Sequence, residues 1–202
     1  MKGSLMNQLL KTAAMGFLLF TVACNDNAGD NANAADSTED HAMTETGTSM
    51  SDTASSATAE LSGTKPDTTV SGTVRFAKDG DKVKMTLDIS VPKKANSSVA
   101  VHIHAMGDCG DMGKHAGGHW NPTNKEHGKW GSDNFHSGDI GNIDLDGQGN
   151  GKLEITTDLW SIGGDSTKNV VGKTIIVHSG KDDYKSQPAG ASGERIGCGV
   201  IK

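Results

Sequence analysis

Six of the eight histidines in this chain fall where they could do chemistry together. In His102-Ile103-His104 the two imidazoles are separated by one residue. On a β-strand alternate residues share a face, so both rings point one way while Ile103 points to the core. Two neutral imidazoles side by side form half of a copper or zinc site, although two partly buried strand histidines would give the same pattern. His119, His127, His136 and Asp139 follow within one glycine-rich stretch. Three imidazoles and a carboxylate make a four-coordinate shell suited to zinc. His178 closes an apolar run near the C-terminus. His115 fits no such pattern and reads as an exposed loop histidine.

These residues need rigid elements to position them. The chain has 27 glycines, four prolines and only 4% aromatics, a composition that suits a β-sandwich or barrel with long loops. Val70–Phe76 alternates apolar and polar residues as a half-buried strand does, and Val83–Val91 alternates more cleanly. Asp79-Gly80-Asp81 between them is a turn signal, so the two runs predict an antiparallel hairpin. Further strands are predicted at Val99–His104, Gly151–Thr156, Lys173–His178 and Ile196–Ile201. The stretch from Cys109 to Gly141 is too glycine-rich and polar for regular structure, and a second loop runs from Ser179 to Glu194. Loops that long inside a compact domain are usually functional. The fold class this predicts is all-β: a Greek-key β-sandwich or barrel, immunoglobulin-like, with two long functional loops.

The first 23 residues read as a targeting signal. Lys2 and Lys11 supply positive charge, and the apolar stretch Ala13–Ala23 is too short to span a bilayer. It ends at Thr21-Val22-Ala23-Cys24, which resembles a bacterial lipoprotein signal, with Cys24 as the residue that receives lipid. Thr21 stands where leucine is usual, and an ordinary secretory signal cut elsewhere is the alternative. Either way the mature chain is expected outside the cytoplasm, in the periplasm or cell envelope. If Cys24 is lipidated, Cys109 and Cys198 remain as an even pair in an oxidising compartment. Residues 24–58 read as an acidic disordered tether, holding seven acids and no lysine or arginine. Such a segment cannot bury enough surface to offset its chain entropy, and as a flexible coil it would span on the order of 30 Å. The domain is expected over residues 59–202. The net charge of −6 therefore belongs mostly to the tether. No basic stripe with interleaved aromatics points to nucleic acid.

His102-Ile-His-Ala-Met-Gly-Asp-Cys109, Gly117-Gly-His-Trp-Asn-Pro122, His127-Gly128, His136-Ser-Gly-Asp-Ile-Gly-Asn142, Ile176-Val-His178 and Arg195-Ile-Gly-Cys-Gly-Val200 together resemble the copper/zinc superoxide dismutase family. The motifs stand in family order from about Ala59 to Lys202. The resemblance implies that His102, His104, His119 and His178 bind copper. It implies that His119 bridges to zinc, which His127, His136 and Asp139 complete. It gives Asp182 the part of a carboxylate joining His102 to His127, and Arg195 that of the cation attracting superoxide. Cys109 and Cys198 match the family disulfide. Ala105, Met106, Trp120 and Ala189 depart from the usual residues, but none stands at a ligand position.

The activity implied is dismutation of superoxide to oxygen and hydrogen peroxide, with Arg195 and His119 as the catalytic side chains. Zinc is d¹⁰ and redox-inert, so copper must carry the electron. Lys181 and Lys185 are expected to extend the positive field around Arg195. The competing reading is a copper/zinc-binding lipoprotein on the same scaffold without turnover. An electron-transfer cupredoxin is a poor fit, because only Gly-Val-Ile-Lys follows Cys198. The implied partners are superoxide as substrate and the membrane through Cys24, with a monomer or homodimer both compatible.

Overall fold

A computed structural model of the chain describes residues 55–202. The proposed signal, Cys24 and nearly all of the tether lie outside the described residues. Eight strands occur among the described residues: β1 (Ser56–Gly63), β2 (Ser71–Asp79), β3 (Lys82–Ser90), β4 (Ser98–His104), β5 (Gly141–Asp144), β6 (Asn150–Thr157), β7 (Thr174–His178) and β8 (Arg195–Val200). They form one antiparallel sheet in the order β5-β4-β7-β8-β1-β2-β3-β6. The edge strands β5 and β6 approach each other. A Cβ on Gly151 would stand 2.7 Å from Ile143 Cγ2 and 2.8 Å from Leu145 Cδ2. The sheet thus curls into a nearly closed Greek-key barrel, the all-β architecture expected from the strand pattern.

Alternation decides which face of each strand is buried. In β3, Val83, Met85, Leu87 and Ile89 point inward, and β2 pairs Val74 with Leu87 and Phe76 with Met85. The hairpin turn falls at Gly80-Asp81, where Gly80 takes φ 61°, a left-handed value that glycine adopts without Cβ strain. Phe76 meets Trp160 edge-on at 5.6 Å between ring centres, and Trp130 packs against Trp160 at 5.0 Å.

The structure extends the sequence reading at two places. β1 begins at Ser56, three residues ahead of the expected domain start at Ala59, and takes Ser56, Ala57 and Thr58 from the expected tether. Ala57 is buried and lies opposite Phe76. Small residues of this kind leave no apolar signal in the sequence. β5 was not expected as a strand, because Gly-Asn-Ile-Asp offers a single large apolar residue, Ile143.

Candidate metal centre

All seven residues of β4 are buried, for two different reasons. Val99, Val101 and Ile103 join the barrel core. Ala100, His102 and His104 lie on the outer face and are covered by the two long loops. Backbone bonds fasten the first loop to the end of β4: Trp120 N–H donates to Ile103 O (2.8 Å), Ile103 N–H to Gly138 O (2.9 Å) and Gly138 N–H to Trp120 O (3.0 Å). A Cβ on Gly138 would collide with Ile103 O, so glycine permits that close approach. The fastening puts His119 beside His104. β7 presents His178 from the same outer face as His102 and His104. An irregularity at Val177/His178 sets His178 opposite Arg195 on β8.

Two cages result. One ring nitrogen from each of His102, His104, His119 and His178 lies within 4.8 Å of the other three, and so do ligand atoms from His119, His127, His136 and Asp139. His119 belongs to both. Its Nδ1 lies 2.7 Å from Asp139 Oδ1, while its Nε2 has no partner.

The hydrogen bonds fix the tautomers. A carbonyl or carboxylate oxygen only accepts, so a ring nitrogen bonded to it carries the proton, and the other nitrogen keeps a lone pair. His104 Nδ1 donates to Gly117 O (2.9 Å), His178 Nδ1 to Gly193 O (3.3 Å) and His136 Nε2 to Lys125 O (3.1 Å). His102 Nε2 and His127 Nε2 donate to the two oxygens of Asp182, at 2.8 and 3.0 Å. The remaining nitrogens, His102 Nδ1, His104 Nε2, His119 Nε2, His127 Nδ1, His136 Nδ1 and His178 Nε2, are buried without a hydrogen-bond partner. An unsatisfied buried polar atom costs about 1–3 kcal/mol. Six of them, all among the cage-forming rings, are explained by cations. Four imidazole nitrogens suit copper, and three imidazoles with a carboxylate suit zinc, so the residues present fit both metals.

Burial, aided by neighbouring rings, depresses the cage imidazoles: His104 to about 2, His178 to about 3 and His119 to about 4. They are neutral at physiological pH, as metal ligands must be. Burial alone would raise Asp139. Hydrogen bonds from His119 and from the backbone N–H groups of His136 and Gly128 overcome it and hold the carboxyl ionised.

One cage opens into a cleft of about 560 Å³ whose walls include His104, His119, His178, Lys125, Gln187 and Arg195. Arg195 is held from behind. Its guanidinium donates to Gly113 O (2.6 Å) and Gly117 O (2.7 Å), and Gly117 O also receives His104. Burial lowers the Arg195 pKa, but a guanidinium stays cationic. The disulfide Cys109–Cys198, with an S–S distance of 2.08 Å, ties this part of the loop to β8.

Every site residue expected among the described residues is brought to these cages or to their immediate support. His115 stays outside, exposed, with Nδ1 3.2 Å from Asp108. Lys181 and Lys185 do not line the cleft; Lys125 does. The supporting groups Gln187, Asn142 and the carbonyls of Gly117, Lys125 and Gly193 were not found from sequence. A backbone acceptor carries no residue-type signal.

Two adjoining imidazole cages on an all-β scaffold, one facing a cleft that holds Arg195 and Lys125, define a protein built to bind two metal ions. The family model described as copper/zinc superoxide dismutase matches residues 70–201. A Podospora anserina copper/zinc superoxide dismutase is 37% identical over 142 residues, covering 67% of this chain and 91% of the relative. An Aquifex aeolicus one is 38% identical over 111 residues, 53% of this chain and 66% of the relative. The crystal structure of the clock protein EA4 superposes with a TM-score of 0.65 at 29% identity, covering 74% of this chain and 94% of that one. The chain belongs to the copper/zinc superoxide dismutase family. Its activity is the dismutation of superoxide to oxygen and hydrogen peroxide, with copper and zinc as cofactors.

Proposed function

We propose that copper is held by His102 Nδ1, His104 Nε2, His119 Nε2 and His178 Nε2, and zinc by His119 Nδ1, His127 Nδ1, His136 Nδ1 and Asp139. The observation that carries this assignment is the set of six unpartnered buried ring nitrogens. Bound copper supplies the one-electron redox change that zinc lacks. Arg195, fixed by two carbonyls at the cleft wall, attracts and orients the superoxide anion. His119 would hold a proton at Nε2 for the departing peroxide, with its Nδ1 side fixed at the second cage. Asp182 aims one ring of each cage. In His178→Ala, copper and superoxide turnover should be lost and zinc largely kept, as read by metal analysis with a superoxide-decay assay. A variant that keeps copper and turnover overturns the assignment.

The reading extends to location. Residues 1–23 direct export, Cys24 receives lipid, and the residues from there to the start of β1 tether the domain to a membrane of the periplasm or cell envelope, as a monomer or homodimer. Support comes from the Lys2, Lys11 and Ala13–Ala23 pattern, and from the disulfide, a bond typical of oxidising compartments. Cys24→Ser should move the protein from the membrane fraction to the soluble fraction and abolish fatty-acid labelling. Unchanged labelling would refute the anchor.

A further inference from the structure

The loop after β7 folds back over the zinc cage at a tight turn. Gly190 N–H donates to Ser186 O at 2.7 Å, and Asp183 N–H donates to Gly190 O at 2.9 Å. Gly190 passes directly above the Asp182–His127 hydrogen bond. A Cβ there would collide with Asp182 Oδ1 and come within 2.7 Å of His127 Nε2. Beside it, the Gln187 side chain crosses to the other loop and pairs with the backbone of His127 at both ends. His127 N–H donates to Gln187 Oε1 (2.9 Å), and Gln187 Nε2 donates to His127 O (3.0 Å). An amide N–H requires an oxygen and a carbonyl requires an N–H, so both ends of the carboxamide are specified. Asn142 does the same for Asp182, accepting from its N–H at 2.8 Å and donating to its carbonyl at 2.9 Å. The two residues of the buried His127–Asp182 bond are thus each gripped through the backbone by a carboxamide from elsewhere in the chain.

We infer that Gln187 is a positioning residue for zinc: a latch from the second loop that holds His127 in register with Asp182 and retains the ion. The inference rests on the zinc assignment proposed above. His127 lies in a stretch without regular structure, and its backbone is fixed by this pairing and by the Gly128 N–H bond to Asp139 Oδ2 (3.1 Å), with its ring held by Asp182 and the metal. Releasing the latch lets the ring swing without removing any ligand. Changes to groups that orient a metal's ligands typically lower affinity 10- to 100-fold.

The test uses the full chain loaded with copper and zinc and mixed with an excess of a chromophoric zinc chelator. In Gln187→Ala, zinc should leave about 10-fold faster or more. Gln187→Glu keeps an acceptor for His127 N–H but has no donor for its carbonyl, so its rate should fall between the other two. It also carries the test if the alanine variant does not fold. Copper release to a copper chelator should stay within about 2-fold of wild type, which separates a latch on zinc from general loosening. Zinc release at the wild-type rate in both variants, or copper and zinc accelerated alike, overturns the inference. A wild-type chain that takes up no zinc refutes the cage itself instead.

Discussion

Asp182 accepts from His102 Nε2 and His127 Nε2 on its two oxygens, and so leaves a lone pair on Nδ1 of each ring. Asparagine at this position could accept from only one ring. Its amide group would face the other Nε2 as a donor and drive that ring's proton to Nδ1, the atom aimed into a cage. Asp182→Asn should therefore weaken one metal 10- to 100-fold while leaving the fold intact, measured by chelator competition for each ion. Wild-type affinity for both metals would contradict this role. The ligand side chains were legible in the sequence because histidine pairs and a His/Asp cluster are rare by chance at such spacing. Asp182 was legible only through family resemblance, since an acidic residue in a polar loop is ordinarily a solvated charge. Gln187 and Lys125 were not legible, because polar loop residues carry no periodicity and their partners lie far along the chain.

Strands and loops divide the work at the next scale. Six strands could be read from alternation or apolar runs, and β4 and β7 carry His102, His104 and His178 on faces that alternation alone assigns. β1 and β5 escaped because small residues in one and a single isoleucine in the other leave no pattern. The path of the loops also escaped, since it is set by backbone bonds such as Trp120 to Ile103. The disulfide closes a separation of 89 residues, and in the chain-entropy account its removal lowers stability by about 4–5 kcal/mol. It also anchors the segment whose carbonyls at Gly113 and Gly117 hold Arg195. The paired variant Cys109→Ser with Cys198→Ser should unfold at lower urea, and its turnover per bound copper should fall. Turnover per copper equal to wild type would show that Arg195 needs no such support.

For the whole molecule, the buried imidazoles link stability to pH. Without metals, His104, His178 and His119 have pKa values of about 2, 3 and 4 in the folded chain, against 6.5 when exposed. Between those values and 6.5 the unfolded chain binds more protons, so stability falls as pH drops through that window. Asp139 and Asp182 are also lowered, and they add to the loss below about pH 4, where the unfolded carboxyls protonate. His127 runs the other way: its pKa is raised, because the Nε2 bond to Asp182 and the nearby Asp139 charge outweigh burial, and its contribution is fully present below pH 6.5 and lost as pH rises through the raised value. Urea unfolding of the metal-free protein should show greatest stability near pH 6.5 and a steep loss towards pH 3. A flat profile would mean that the rings are not buried in neutral form.

The central claim is that seven side chains far apart in sequence converge on two cations through one shared ring. Diffraction data collected at the copper and zinc absorption edges, from crystals loaded with both ions, test it most directly. The account predicts one copper peak among His102, His104, His119 and His178, and one zinc peak among His119, His127, His136 and Asp139, on opposite nitrogens of His119. A single shared peak, exchanged positions, or a His119 ring touching only one ion would contradict it.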